Sequence, residues 1–135
     1  MRYLNLSNNE IQKLENFVSL PNLNFLDLTQ NFITKINSFS SNAGVQKLRV
    51  LVLAKNHIVT IENLDIFANL DVLDLSENRI RKIENLDVLP YLRVLNLSCN
   101  QIEQLEFVHP MKSLIELNLK KNRINSVIGT LCFKI

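Results

Sequence analysis

The residue types that most often carry chemistry are scarce in this chain of 135 residues: two His, two Cys, two Gly and no Trp. His57 and His109 are the candidates for a proton relay or a metal ligand, Cys99 and Cys132 for a thiolate or a disulfide. The spacings that assemble such groups do not occur: there is no Cys-x-x-Cys, no His-Glu-x-x-His and no Gly-x-Ser-x-Gly. With glycine only at 44 and 129, no loop is built to cradle a phosphate. Fifteen Lys and Arg against thirteen Asp and Glu leave a net charge of +2, a balance that argues against phosphate backbones as the main partner. The two matches to a glycosylation acceptor, Asn5-Leu6-Ser7 and Asn96-Leu97-Ser98, need a structural context before they mean anything.

That context is a repeat. The template Leu-x-x-Leu-x-Leu-x-x-Asn-x-Ile fits Leu23 to Ile33, Leu48 to Ile58, Leu70 to Ile80, Leu92 to Ile102 and Leu114 to Ile124, and a sixth copy enters mid-template at Leu4. Its Asn falls at 9, 31, 56, 78, 100 and 122, spaced 22, 25, 22, 22 and 22. The longer interval contains Ser38-Phe39-Ser40-Ser41-Asn42-Ala43-Gly44, which reads as an inserted surface loop. Five residues after each Asn comes Leu14, Ile36, Ile61, Ile83, Leu105 or Val127, and Phe17, Phe39, Leu64, Leu86 and Val108 follow three later. Leu14-Glu15-Asn16-Phe17, Ile61-Glu62-Asn63-Leu64 and Ile83-Glu84-Asn85-Leu86 are near copies. The period places His57 beside a ladder Asn and His109 in the outer half of another unit, so the two share no site. Cys99, on an edge, and Cys132, in the last outer half, are likewise separated, which fits a reducing compartment. Both glycosylation matches fall between core leucines of a strand.

These motifs resemble the leucine-rich repeat family over essentially the whole chain, and within it the 22-residue class with Ile-Glu-Asn-Leu in the outer half. An SDS-type regulatory subunit of protein phosphatase-1 and axonemal dynein light chain 1 are similar members of that class. The resemblance implies an α/β leucine-rich repeat solenoid of six repeats, with a short parallel sheet on the concave face and turns or short helices on the convex face.

Alternation along each strand sends both Leu of Leu-x-Leu into the core, where Ile11, Leu14, Phe17, Leu20 and their equivalents meet them. Asn9, Asn31, Asn56, Asn78, Asn100 and Asn122 are expected to turn inward as a structural ladder, each amide bonding backbone groups where the chain leaves the strand. Residues 1–135 read as a single leucine-rich repeat domain without complete polar caps, a piece of a longer chain.

Without a catalytic constellation, function is expected in the variable strand positions. The residue before the second template Leu runs Tyr3, Phe25, Val50, Val72, Val94, Glu116, and the residue between the paired leucines runs Asn5, Asp27, Val52, Asp74, Asn96, Asn118. The next two rows run Ser7, Thr29, Ala54, Ser76, Ser98, Lys120 and then Asn8, Gln30, Lys55, Glu77, Cys99, Lys121, all taken as facing solvent. Val52 and Ala54 interrupt polar rows beside Phe25, Val50, Val72 and Val94, making an apolar patch rimmed by Asp27, Asp74 and Glu77. A secondary basic edge gathers Lys120, Lys121 and Arg123 with Lys112, and Arg79, Arg81 and Lys82 lie two units earlier.

The expected function is a non-enzymatic scaffold that binds another protein on its concave face, with no cofactor, metal, membrane or small-molecule substrate. The resemblance suggests an intracellular, cytoplasmic setting, with the cilium, centrosome or cytoskeleton as frequent sites. No apolar run reaches the ~20 residues of a membrane span, and the first residues lack a secretion signal's apolar stretch. Two rivals are a phosphatase regulatory subunit, weakened by Val at 50, 72 and 94 and by the lack of Trp, and a ribonucleoprotein subunit.

Overall fold

The computed structural model describes residues 1–15, 20–36, 44–106 and 111–128. Each copy of the template forms one coil of a solenoid, and its three-residue strand carries the central Leu. The strands are β1 (Tyr3–Asn5), β2 (Phe25–Asp27), β3 (Val50–Val52), β4 (Val72–Asp74), β5 (Val94–Asn96), β6 (Gln104–Glu106), β7 (Glu116–Asn118) and β8 (Ser126–Ile128). Six of them form one parallel sheet in the order β1-β2-β3-β4-β5-β7, with Leu4, Leu26, Leu51, Leu73, Leu95 and Leu117 in register. Both Leu of each Leu-x-Leu are fully buried in the inner coils, whereas Leu4, Leu6, Leu117 and Leu119 of the first and last coils are half-buried.

The outer half returns the chain through successive tight turns. Leu89 N–H donates to the Leu86 carbonyl at 3.1 Å and Leu92 N–H to the Leu89 carbonyl at 3.3 Å, a three-residue step repeated by Phe67 to Leu64 and Leu70 to Phe67. No helix occurs among the described residues. The last two coils add a two-stranded parallel sheet, β6 with β8, which pairs Leu105 with Val127. Leu14 and Phe67 are fully buried between the layers, and Ile11 and Leu20 pack against the core they belong to. Phe17, Phe39 and Val108 lie outside the described residues, as does the inserted segment except Gly44. That glycine packs on the neighbouring coil, where a Cβ would stand 2.9 Å from backbone atoms of Leu20 and Pro21.

The ladder Asn side chains tie these coils together. Asn100 Oδ1 accepts the Ile80 amide at 2.9 Å, and its Nδ2 donates to the carbonyls of Leu75 at 2.9 Å and Leu97 at 3.1 Å. Asn31, Asn56, Asn78 and Asn122 make the same three bonds, each to its own coil and the preceding one. Among the described residues, Asn9, exposed in the first coil, bonds only the Leu6 and Ser7 carbonyls of its own coil. A second Asn row explains part of the outer signature: Nδ2 of Asn63 and of Asn85 donates at 2.7 Å to the Ile36 and Ile61 carbonyls of the preceding coil.

Just before each ladder Asn the backbone turns left-handed. Asn8, Gln30, Lys55, Glu77, Cys99 and Lys121 all have φ between 54° and 58°, although none is glycine. The amides of the first five are held by the next coil, as when Lys55 N–H donates to the Ser76 carbonyl at 3.0 Å and Glu77 N–H to the Ser98 carbonyl at 2.9 Å. Tertiary bonding thus enforces a conformation that costs most side chains about 1–2 kcal/mol.

Two stability predictions follow from this geometry. Asn100→Leu leaves buried backbone groups unbonded at ~1–3 kcal/mol each, so urea unfolding should show a loss on the order of 3–5 kcal/mol, well above that of Asn9→Leu. Glu77→Gly relieves the left-handed strain and should raise stability by about 0.5–1 kcal/mol, whereas Glu77→Val lowers it.

Candidate functional site

The two outward rows of the main sheet differ in what their side chains already do. In the row between the paired leucines, Oδ1 of Asn5, Asp27 and Asp74 accepts the amide two residues on, from Ser7, Thr29 and Ser76, at 2.8 Å each. Asn96 and Asn118 do the same for Ser98 and Lys120 at 3.1 Å. These are Asx turns, which steer the chain out of the strand towards its left-handed residue. Asp27 and Asp74 therefore have a structural task beyond rimming a patch. Asp74 Oδ2 also accepts from Asn96 Nδ2 at 3.1 Å. Val52 breaks the row, since its side chain has no acceptor to offer the Ala54 amide. Asn5 and Asn96, the two glycosylation matches, are engaged in this row.

The apolar row lies beside it. Register places Val50 next to Val72 and Val72 next to Val94, all three half-buried. Phe25, half-buried at the head of β2, stacks on Tyr3 with ring centroids 4.4 Å apart and planes 11° from parallel. The patch thus runs from Tyr3 through Phe25 and Val50 to Val94, with Val52 half-buried next to it. The third row does not face solvent throughout: Ala54 and Ser76 are buried at 9% and 8% exposure. Ala54 consequently offers little surface to the patch.

Charge is distributed around this face. Glu77 is exposed and lies 4.0 Å from Lys55. On the other side, Arg93 grips Asp71 through two 2.6 Å bonds, and the guanidinium holds that carboxyl below its ordinary range. Lys112, Lys120, Lys121 and Arg123 are all exposed, as are Arg79, Arg81 and Lys82. His57 is half-buried with its ring 5.8 Å from that of Phe32, a contact that the sequence reading did not include. Phe32 directly follows a ladder Asn, and its apolar type at an outward position was the available signal. His109 and Cys132 lie outside the described residues. Among the described residues, no group of three His, Cys, Asp or Glu is placed to hold a metal, and no helix is long and apolar enough to cross a membrane.

Similarity to known proteins agrees with this architecture. The family model for leucine-rich repeats (2 copies) matches residues 1–41, 46–88 and 68–110. The chain is 38% identical over 73 residues to the septation initiation network scaffold protein cdc11 of Schizosaccharomyces pombe, covering 52% of this chain and 7% of that protein. It is 42% identical over 69 residues to U2 small nuclear ribonucleoprotein A′ of Arabidopsis thaliana, covering 50% of this chain and 26% of that protein. It therefore spans about a quarter or less of the curated relatives it matches. An internalin (inlF) from Listeria monocytogenes shares the fold, with a TM-score of 0.75 and 23% identity over 94% of this chain and 41% of its own. Stacked repeats of this kind present an extended, preorganised surface. The repeat pattern, the strand register and the family match together establish that the chain belongs to the leucine-rich repeat family.

Proposed function

We propose that the chain is a non-enzymatic protein–protein interaction scaffold, docking a protein partner on the concave patch of Phe25, Val50, Val52, Val72 and Val94. Asp27, Asp74 and Glu77 flank that patch. The observation that carries the reading is Val52. Five coils place Asn or Asp at this position and use it to accept a backbone amide, a bond worth about 0.5–1.5 kcal/mol. Only the third coil gives that bond up, and it does so at the centre of the face beside Val50. An apolar centre with a polar rim is the usual anatomy of a docking surface.

A ribonucleoprotein subunit is the second reading, favoured by the similarity of half the chain to the Arabidopsis U2 protein. In that reading, too, the patch meets a protein. An intracellular, cytoplasmic setting belongs to the proposal, with the cilium, centrosome or cytoskeleton as the sites suggested by the repeat class.

The test is affinity capture from lysate with mass spectrometry, comparing the parent chain with Val52→Asn. That substitution installs the acceptor used in the other coils, so its stability should stay within about 1 kcal/mol of the parent while the patch is divided. Specific proteins should disappear from the captured set. An unchanged set with a folded variant contradicts the proposal. Co-purifying small nuclear RNA selects the second reading, a phosphatase catalytic subunit selects a phosphatase regulator, and tubulin or dynein selects a cytoskeletal scaffold.

A further inference from the structure

The residue after each ladder Asn forms a row of its own along one edge of the concave face: Glu10, Phe32, His57, Arg79, Gln101 and Arg123. The backbone fixes this row. The amides of Phe32, His57, Arg79, Gln101 and Arg123 each donate at 2.9 Å to the Ile carbonyl closing the preceding template. Phe32 is 49% exposed, an outlay of apolar surface that the core does not use. Its ring meets that of His57 at 56°, and both line an open groove of about 750 Å³ with Glu10, Gln30 and Lys55. Beyond the groove the same edge turns cationic, with Arg79, Lys121 and Arg123 exposed.

We propose that this edge is a second docking site, separate from the concave patch, for an extended acidic peptide segment anchored by an aromatic side chain in the groove at Phe32 and His57. Charge complementarity identifies the occupant. Lys55, Arg79, Lys121 and Arg123 favour an anion, but Glu10 and Glu77 interrupt the run. A nucleic acid, with a phosphate at every residue, meets repulsion at both glutamates. A peptide places carboxylates only opposite the cations. The spacing is also specific. Coils stack about 4.8 Å apart, so Arg79 lies roughly 10 Å from Phe32 along the row and Arg123 roughly 19 Å. A peptide in polyproline II geometry advances ~3.1 Å per residue with three residues per turn, which places carboxylates about three and six residues from the anchor on the same face.

The test is fluorescence anisotropy with a fluorescein-labelled peptide carrying Phe, then Asp three and six residues later, with Ser elsewhere. Controls are the same peptide with Asn for Asp, the same peptide with Gly for Phe, and a short oligouridine. Both control peptides should bind about tenfold or more weaker than the acidic one, and added salt should weaken its binding. Phe32→Ala and Arg79→Glu, each checked for an unchanged thermal midpoint, should weaken it by a similar factor, while Val52→Asn leaves it unchanged. Equal binding of the Asn peptide, no saturable binding of the acidic peptide, or tighter binding of oligouridine overturns the proposal. So does a loss caused by Val52→Asn and not by Arg79→Glu, which assigns the peptide to the concave patch. If Phe32→Ala lowers the midpoint, Arg79→Glu alone decides the outcome.

Discussion

A side-chain amide bonded to three backbone groups on two coils is the interaction on which the rest of this solenoid depends. In a parallel stack of three-residue strands, the chain must leave each strand inside an apolar interior, where unbonded N–H and C=O groups are costly. Asn suits the position because it is short and carries both an acceptor and two donors. At Asn56, Asn78 and Asn100 its carbonyl oxygen takes an Ile amide of the preceding coil, and its NH₂ serves a Leu carbonyl from each of the two coils. Neither Asp nor Leu can satisfy all three groups.

The other local features follow from that bond. To bring the amide inward, the residue before it turns left-handed, and the amides of the turn are satisfied by the next coil and by the Asx side chain of the strand. The Leu pairs then stack in register, the Ile closing each template packs beneath them, and the outer half needs only tight turns to return. Because each coil hands its unbonded groups to its neighbour, regularity in one coil supports regularity in the next. The first coil shows the converse, with Asn9 exposed and, among the described residues, bonded within its own coil.

Much of this was legible in the residues, and the reasons differ by position. Leu and Asn recur because burial and bonding leave few alternatives, so Leu48 to Ile58 could be aligned on Leu23 to Ile33 despite the longer interval. The left-handed row carried no such signal: Gln30, Lys55, Glu77 and Cys99 are not turn formers, and inter-coil bonds rather than local preference set their conformation. Asp27 and Asp74 looked like surface charge, although an Asp two residues before Thr29 or Ser76 fits an Asx turn as well. The pairing of Gln104–Glu106 with Ser126–Ile128 was not foreseen, because three-residue outer segments have no period of their own. For the candidate site, the rows were readable as rows, whereas the burial of Ala54 and the contact of Phe32 with His57 depend on how neighbouring coils stack.

Seen this way, the scaffold and its surfaces are separate problems. Residues that hold the coils leave little freedom to vary, and recognition is proposed at Val52, which departs from their pattern on the concave face, and at Phe32, in a row along its edge that has no fixed residue type. The most direct test of the account is native-state hydrogen exchange of the Ile58 and Ile80 amides, whose acceptors are the side chains of Asn78 and Asn100. If the ladder holds the stack, both amides exchange only through global unfolding, as slowly as the Leu75 and Leu97 amides, which donate to the next coil just past β4 and β5. Exchange of Ile58 and Ile80 at the rate of exposed turns, with the sheet still protected, would contradict it.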